Sequence, residues 1–261
     1  MLTLLSPAKK LDLEQTISPI TPTEPGLLSQ TKILAKTMKT KSAADLQSLM
    51  KLSDNLAELN ATRFKSFVLN GRSNSAKPAV FTFDGNVYEG LDADSLSKQD
   101  LSYAQDHLRI LSGLYGTLRP LDNVQPYRLE MGTRLETPRG TNLYQFWGPK
   151  IAKNLMADLE GHKDKTIVNL ASIEYFKAVD KKTLTAPVIE TKFLNIKDGN
   201  ARNLMYYAKF ARGLMTRWII ENRIDAADDL RGFNVEGYKI SKRDSHDGLL
   251  VFTRKQPPPK K

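Results

Sequence analysis

Short apolar segments with the character of strands alternate with amphipathic helical patterns along the chain, and this alternation limits the fold most. Met1 to Leu5 and "KTIVNLAS" resemble buried strands, and residues 187–209 contain two strand patterns joined at Asp198-Gly199. The spacing of a helix with one buried face is followed by Ala211, Leu214, Met215, Trp218 and Ile219. We therefore expect a mixed α/β (α+β) fold in a single compact domain over residues 1–261.

Length and composition agree with one large core, since the chain has 261 residues and 40% of them are hydrophobic. "AVFTFDGNVYEGL" alternates like a strand, with a possible tight turn at Asp84-Gly85. Residues 255–261 are basic and rich in proline, so we expect a disordered basic tail there.

The charge of the chain suggests a polyanionic partner. Its 39 Lys and Arg residues exceed its 29 Asp and Glu residues, which gives a formal net charge of +10. Double-stranded DNA is the partner we expect, although a solvated basic surface has the same composition. No apolar run is long enough to cross a membrane and the amino-terminal run is too short for a signal peptide, so a cytoplasmic location without membrane contact is expected.

Several classes of chemistry lack the residues that they need. The chain has no cysteine, which excludes disulfides, thiolate catalysis and iron–sulfur ligation. It has three histidines and no HExxH, and it lacks the Walker, GxGxxG and GxSxG motifs. We therefore expect no metal site and no cofactor.

The stretch "HLRILSGLYGTLRPLD" has the outline of a helix-hairpin-helix within residues 97–124. An apolar stripe leads to a glycine-bounded turn, where main-chain N–H groups could approach a phosphate between flanking arginines. The same stretch could equally be a helix end followed by a buried turn. The candidate DNA contacts here are Arg109, Gly113, Leu114, Tyr115, Gly116, Thr117 and Arg119.

Other basic residues could extend such a surface. Arg128, Arg134 and Arg139 lie in a segment rich in aromatic residues, and Lys209 and Arg212 can occupy the polar face of the last long helix. Each could also be an ordinary solvated side chain.

A dense polar cluster, "NLASIEYFKAV", follows a predicted buried strand, which is where ligands of open α/β sheets commonly bind. Glu174, Tyr175 and Lys177 could serve as acid, hydrogen-bond donor and amine nucleophile. They could also form the first turn of a surface helix capped by Ser172.

With these motifs the sequence resembles the YaaA family of bacterial peroxide-stress resistance proteins almost from end to end. A departure is Asn86, where an aspartate is expected in "FDGNVYEGL". The resemblance is carried, in order, by "SPAKKLD", "SDNLAELNATRF", "HLRILSGLYGTLRPLD", "QPYRLEMG", "LYQFWG", "NLASIEYFKAV" and "YAKFARGLM".

This resemblance implies a cytoplasmic stress protein that limits peroxide damage to DNA and is associated with lowered free intracellular iron. It also implies an α/β fold with a helix-hairpin-helix and a basic cleft that binds duplex DNA largely without regard to sequence. The positions that it carries over are Lys9, Arg109 through Arg119, Arg128, Lys177, Lys209 and Arg212.

An enzyme that acts on DNA or a nucleotide is the alternative, because helix-hairpin-helix elements often position a glycosylase or lyase. Lys9 or Lys177 would then supply the amine nucleophile, and Asp12 or Glu174 would supply the acid.

Overall fold

Eight strands form one sheet within residues 1–14, 20–70 and 73–258, the ranges that a computed structural model describes. The strands of the chain are β1 Leu2–Leu5, β2 Lys10–Leu11, β3 Lys77–Pro78, β4 Phe83–Asp84, β5 Leu108–Ser112, β6 Gly116–Leu118, β7 Asn123–Val124, β8 Ile167–Asn169, β9 Val188–Lys197, β10 Asn200–Arg202, β11 Lys239–Ile240 and β12 Leu249–Lys255. The α-helices are α1 Leu28–Lys39, α2 Ala43–Met50, α3 Asp54–Ser66, α4 Ala79–Thr82, α5 Asn86–Leu91, α6 Lys98–His107, α7 Leu143–Trp147, α8 Lys150–Leu159, α9 Ile173–Phe176 and α10 Met205–Glu221.

The middle of the sheet is parallel. Its order is β11-β12-β9-β8-β1-β5-β6, and the pairs from β12 to β5 all run in the same direction. The strands β11, β6 and β10 pair antiparallel with β12, β5 and β9. The predicted mixed α/β class is confirmed.

The strand order creates a switch point between β1 and β8. From β1 the chain goes on to β5 on one side, whereas from β8 it goes on to β9 on the other side. Because these connections leave in opposite directions, a crevice opens beyond the carboxyl ends of the two strands, and such crevices are where open α/β sheets bind ligands.

The central strands are covered on both faces. Leu2, Leu4 and Leu5 of β1 are fully buried and belong to a hydrophobic core cluster that also includes Trp147. Strands buried on both faces have continuous apolar runs, which explains why β1 and β8 could be recognised in the sequence.

The structure corrects the helix-hairpin-helix predicted for residues 97–124. Helix α6 begins after Ser97, which forms a capping box with Asp100, but the helix ends at His107. The next residues form β5, which pairs with β1 and makes an antiparallel hairpin with β6. All five residues of β5 are buried, so their apolar character fills a two-sided strand and not a helical stripe.

The predicted strand over "AVFTFDGNVYEGL" is also wrong, because this segment forms α4, β4 and α5. Helix α5 lies against α10 with main chain touching main chain. A Cβ on Gly213 would overlap the carbonyl oxygen of Val87, and a Cβ on Gly90 would overlap that of Phe210. Only glycine permits this close approach.

Residues 255–261, predicted as a disordered basic tail, start within a strand. Lys255 is the last residue of β12, and the Gln256 N–H donates to the Ile196 carbonyl over 2.9 Å. Residues 259–261 lie outside the described residues. Across the described ranges, no helix combines the length and apolar character needed to span a bilayer.

Candidate functional site

Two serines meet at the switch point between β1 and β8. The Ser172 N–H donates to Ser6 Oγ over 2.8 Å, and Ser6 Oγ donates to Ser172 Oγ over 3.3 Å. From α5, the Tyr88 hydroxyl donates to the Ser6 carbonyl over 3.1 Å. We call the region at the carboxyl ends of β1 and β8 the strand-end cleft. We assign to it the polar residues that follow these two strands, together with the charged or hydrogen-bonded partners that link to them: Lys9, Arg128, Glu130, Asn169, Glu174, Lys177, Glu190 and Arg212.

A carboxylate joins two cations on one side of the cleft. Glu130 accepts from Lys9 Nζ at 2.7 Å and from Arg128 Nη2 at 3.0 Å. Arg128 Nε is buried and has no hydrogen-bond partner among the described residues. The trio retains one net positive charge, and it brings together Lys9 and Arg128, which the sequence had placed in separate motifs.

Helix α9 is fixed to its neighbours through Glu174. Glu174 Oε1 accepts from the Gly132 N–H over 2.8 Å, and its main-chain carbonyl accepts from the Tyr144 hydroxyl over 3.1 Å. Lys177 Nζ lies 5.0 Å from the centre of the Tyr144 ring. Lys177 is exposed and has no carboxylate partner within the described ranges, so the ring of Tyr144 is the group that faces its charge.

Arg212 reaches the cleft from α10. Its side chain is half-buried, and burial lowers the pKa of the guanidinium while nearby Glu190 raises it. Glu190 Oε2 in turn accepts from Asn169 Nδ2 over 2.8 Å, which locates the arginine near the end of β8. Among the described residues the guanidinium of Arg212 forms no hydrogen bond or ion pair. Lys209, three residues earlier on α10, is exposed and also lacks such a partner there.

Three buried tyrosines, Tyr88, Tyr127 and Tyr175, lie close to one another beneath the cleft. The Tyr127 hydroxyl is 2.6 Å from Ser112 Oγ. Burial raises the pKa of all three hydroxyls, so they stay protonated at neutral pH and add no negative charge to the cleft.

Arg109 is placed elsewhere, contrary to its predicted role as a DNA contact. Its side chain is 5% exposed. Its Nε donates to Asp158 over 2.7 Å, and its Nη1 donates to the carbonyl oxygens of Gln105 and Leu108. It borders a cavity of about 390 Å³ beside His107. A side chain held in this way is not available to grip a phosphate.

The turn of the β5–β6 hairpin is internal as well. Leu114, Tyr115 and Thr117 are at most 3% exposed, and Gly113 packs so closely that a Cβ would overlap the Leu129 carbonyl oxygen. Gly116 has a φ of +75°. The predicted main-chain contacts of Gly113 to Thr117 with a phosphate are therefore wrong.

Arg119 has a structural partner at the end of this hairpin. Its Nη2 lies 3.0 Å from Asp122 Oδ1 and also donates to the Glu24 carbonyl. Asp122 is 1% exposed. Arg119, predicted as a DNA contact, is thus paired within the turn that follows β6.

Asp12, a candidate acid, lies apart from the strand-end cleft. Its Oδ1 is 3.9 Å from Lys77 Nζ, and it borders a cavity of about 310 Å³ together with Asp84, Glu89 and Asp92. Within the described residues no group of three or more His, Asp or Glu side chains is arranged to hold a metal ion.

Sequence reasoning missed Ser6, Glu130, Asn169 and Glu190 as members of the cleft. Ser6 follows a predicted buried strand, as the polar cluster at Ser172 does, and this shared position was the signal that could have paired them.

Comparison with known proteins shows matches over almost the whole chain. A family model described as peroxide stress protein YaaA matches residues 1–244. A UPF0246 protein of Phenylobacterium zucineum is 51% identical over 259 residues, which cover 99% of this chain and 97% of the relative. A UPF0246 protein of Bordetella pertussis is 50% identical over 256 residues, with 98% and 100% covered.

Proposed function

The chain belongs to the family of the peroxide stress protein YaaA, and from this premise we propose that it acts in the peroxide stress response by binding double-stranded DNA in the strand-end cleft. The contacts are made to backbone phosphates, so binding is largely independent of sequence. The proposal also includes a lower concentration of free intracellular iron. We attribute that decrease to the stress response, and not to iron binding by this chain.

The observation that carries the proposal is the unpaired state of Arg212. Arginine stays charged at every physiological pH, and a charge that is partly removed from water is unfavourable unless an anion compensates it. Among the described residues no carboxylate lies within ion-pair distance of Arg212, and Glu190, which acts on it from further away, is already hydrogen-bonded to Asn169. The planar guanidinium of Arg212 matches the oxygens of a phosphate, which would supply the missing partner.

Other cations extend the same surface. Lys177 and Lys209 are exposed and have no carboxylate partner in the described ranges, while Lys9 and Arg128 share a single carboxylate. Several cations around a crevice suit a polyanion better than a single small anion. With about five phosphates neutralised, the slope of log K against log salt is roughly −4 to −5.

The test compares Arg212→Gln with Arg243→Gln. Both remove one positive charge, but Arg243 is highly exposed and lies beside the β11–β12 hairpin, away from the cleft. Loss of a charge-assisted phosphate contact should weaken duplex binding about tenfold to a hundredfold and reduce the salt slope by about one. Fluorescence anisotropy with a labelled duplex at two salt concentrations measures both.

Arg243→Gln should stay within about threefold of the parent protein, since a distant exposed charge is screened by salt. Equal losses in both variants would mean that net charge and not the cleft governs binding. Absence of duplex binding by the parent protein at low salt would refute the proposal.

A lyase acting on abasic DNA is a second candidate, favoured by the exposed side chain of Lys177, three residues after Glu174. The amine would add to the sugar aldehyde and release water to give an imine, which borohydride reduces to a stable amine. A trapped adduct that disappears in Lys177→Ala but persists in Lys181→Ala would support catalysis. If the parent protein forms no adduct, the lyase is refuted and DNA binding remains as the proposed function.

A further inference from the structure

We infer that Ile173 is a wedge that inserts between base pairs of the bound duplex, so that the protein favours DNA whose stacking is already weakened. The inference rests on the proposed function, because it concerns DNA held in the strand-end cleft.

The exposure of Ile173 is the first observation. The side chain is 89% exposed, while Ile167 and Val168 of the adjoining strand are fully buried. An aliphatic side chain in this state contributes almost nothing to the hydrophobic core. Its apolar surface is therefore available for contact with a ligand that enters the cleft.

Its position is the second observation. Ile173 directly follows Ser172, whose main chain is tied to Ser6 across the switch point. The next residues of α9 anchor it, because Tyr175 and Phe176 are buried and Glu174 is hydrogen-bonded to Gly132. The isoleucine is thus presented from a backbone that is fixed on several sides, as a wedge requires.

The cations that neighbour Ile173 along the chain favour an anionic occupant. Lys177 lies one helical turn further on, with its N–H bonded to the Ile173 carbonyl over 3.0 Å. Exposed Arg134 is two residues beyond Gly132, which contacts the same helix. A protein partner requires a contiguous apolar patch, whereas Ile173 is flanked by Ser172 and Glu174 and is the one large exposed hydrophobic residue within residues 169–179.

Duplex DNA fits this arrangement. Proteins that kink DNA place Ile, Leu, Met or Phe between base steps while nearby cations hold the adjacent phosphates. Insertion requires two base pairs to unstack, and this is easier at an abasic site or a mismatch. The wedge therefore predicts a preference for damaged over intact duplex.

The experiment uses the full chain and duplexes of one sequence that are intact, mismatched or abasic, each with 2-aminopurine beside the central step. The parent protein should bind the abasic duplex about tenfold more tightly than the intact one, and 2-aminopurine fluorescence should rise as its stacking is lost. Ile173→Ala should bind all three duplexes alike without the fluorescence rise.

Two further variants control for shape and for general loss of apolar surface. Ile173→Leu keeps an aliphatic wedge and should retain the preference. Leu59→Ala removes an exposed aliphatic group from α3, outside the cleft, and should also retain it.

The outcomes separate the two proposals. If the parent protein binds every duplex equally, or if Ile173→Ala keeps both the preference and the fluorescence rise, the wedge is overturned and DNA binding stands. If the parent protein binds no duplex at low salt, both proposals fail.

Discussion

Two arginines show how the environment of a single residue decides its role. Arg109 and Arg212 have the same chemistry, but Arg109 is satisfied by Asp158 and two carbonyl oxygens, whereas Arg212 has no such partner in the described ranges. A buried arginine held by a carboxylate and by carbonyl oxygens is not available to a ligand, and removing its partner leaves an unpaired charge. The arginine without a partner is the one available to a ligand.

At the same scale, we expect substitution of Gly116 to reduce the stability of the fold without weakening DNA binding. Gly116→Ala should lower the free energy of unfolding by more than 1 kcal/mol, because φ is +75° and the new Cβ would lie 2.7 Å from the Trp147 ring. Gly161→Ala is the control, since no atom lies within 4 Å of its Cβ position. It should change stability by less than about 0.5 kcal/mol in urea unfolding.

DNA affinity of the folded Gly116→Ala protein should equal that of the parent. A normal melting curve combined with weakened DNA binding would instead restore the β5–β6 turn as a phosphate contact.

At the scale of elements, the sequence revealed what local spacing determines. The strand β1 and the β9–β10 turn at Asp198-Gly199 were predicted. The buried face of α10 was predicted in part, since Ala211, Met215 and Ile219 are buried but Leu214 and Trp218 are half-buried. The β5 strand was not, because its run of apolar residues suits a helical stripe equally well until the pairing of Thr3 with Leu108 is known.

The cleft was hidden for a related reason. Ser6 and Ser172 are 166 positions apart and meet only because β1 and β8 are neighbours in the sheet. Strand order is a long-range property, and no local pattern in one sequence reveals it. Lys177 and Arg212 were found because charged groups are visible in any sequence, but their common location was not.

Helix α6 offers a test at this scale. Ser97→Ala should lower the free energy of unfolding by about 1 kcal/mol, because Ser97 Oγ accepts from the Asp100 N–H and donates to the Asp100 carboxylate, and both bonds are lost in alanine. Ser53→Ala is the matched change at the start of α3, where the serine makes no such side-chain bond. Equal losses in chemical denaturation would contradict a role for the cap.

For the molecule as a whole, we expect the stability of the fold to depend on pH through two histidines. His107 and His162 pack edge to face with ring centres 4.7 Å apart, and burial lowers the pKa of both below the usual 6.5. Asp225 acts in the opposite direction on each ring. Their protons therefore bind more tightly to the unfolded chain, so stability should fall as pH drops below about 6.5.

Thermal melts between pH 8 and pH 5.5 measure this dependence. His162→Gln, which cannot take up a proton in this range, should flatten the curve, whereas the same change at exposed His246 should leave it as it was. A parent protein whose melting temperature is constant over this range would refute the assignment.

The contact between α5 and α10 has a consequence for how such a chain can diversify. Gly213 and Gly90 bring the two main chains together, and these helices carry Tyr88 and Arg212, which reach the strand-end cleft from different directions. The distance between Tyr88 and Arg212 is thus determined by contacts between main-chain atoms and not by side chains. Cleft residues can be exchanged over evolutionary time, and new ligand preferences acquired, while the two glycines keep the frame that holds them at a constant width.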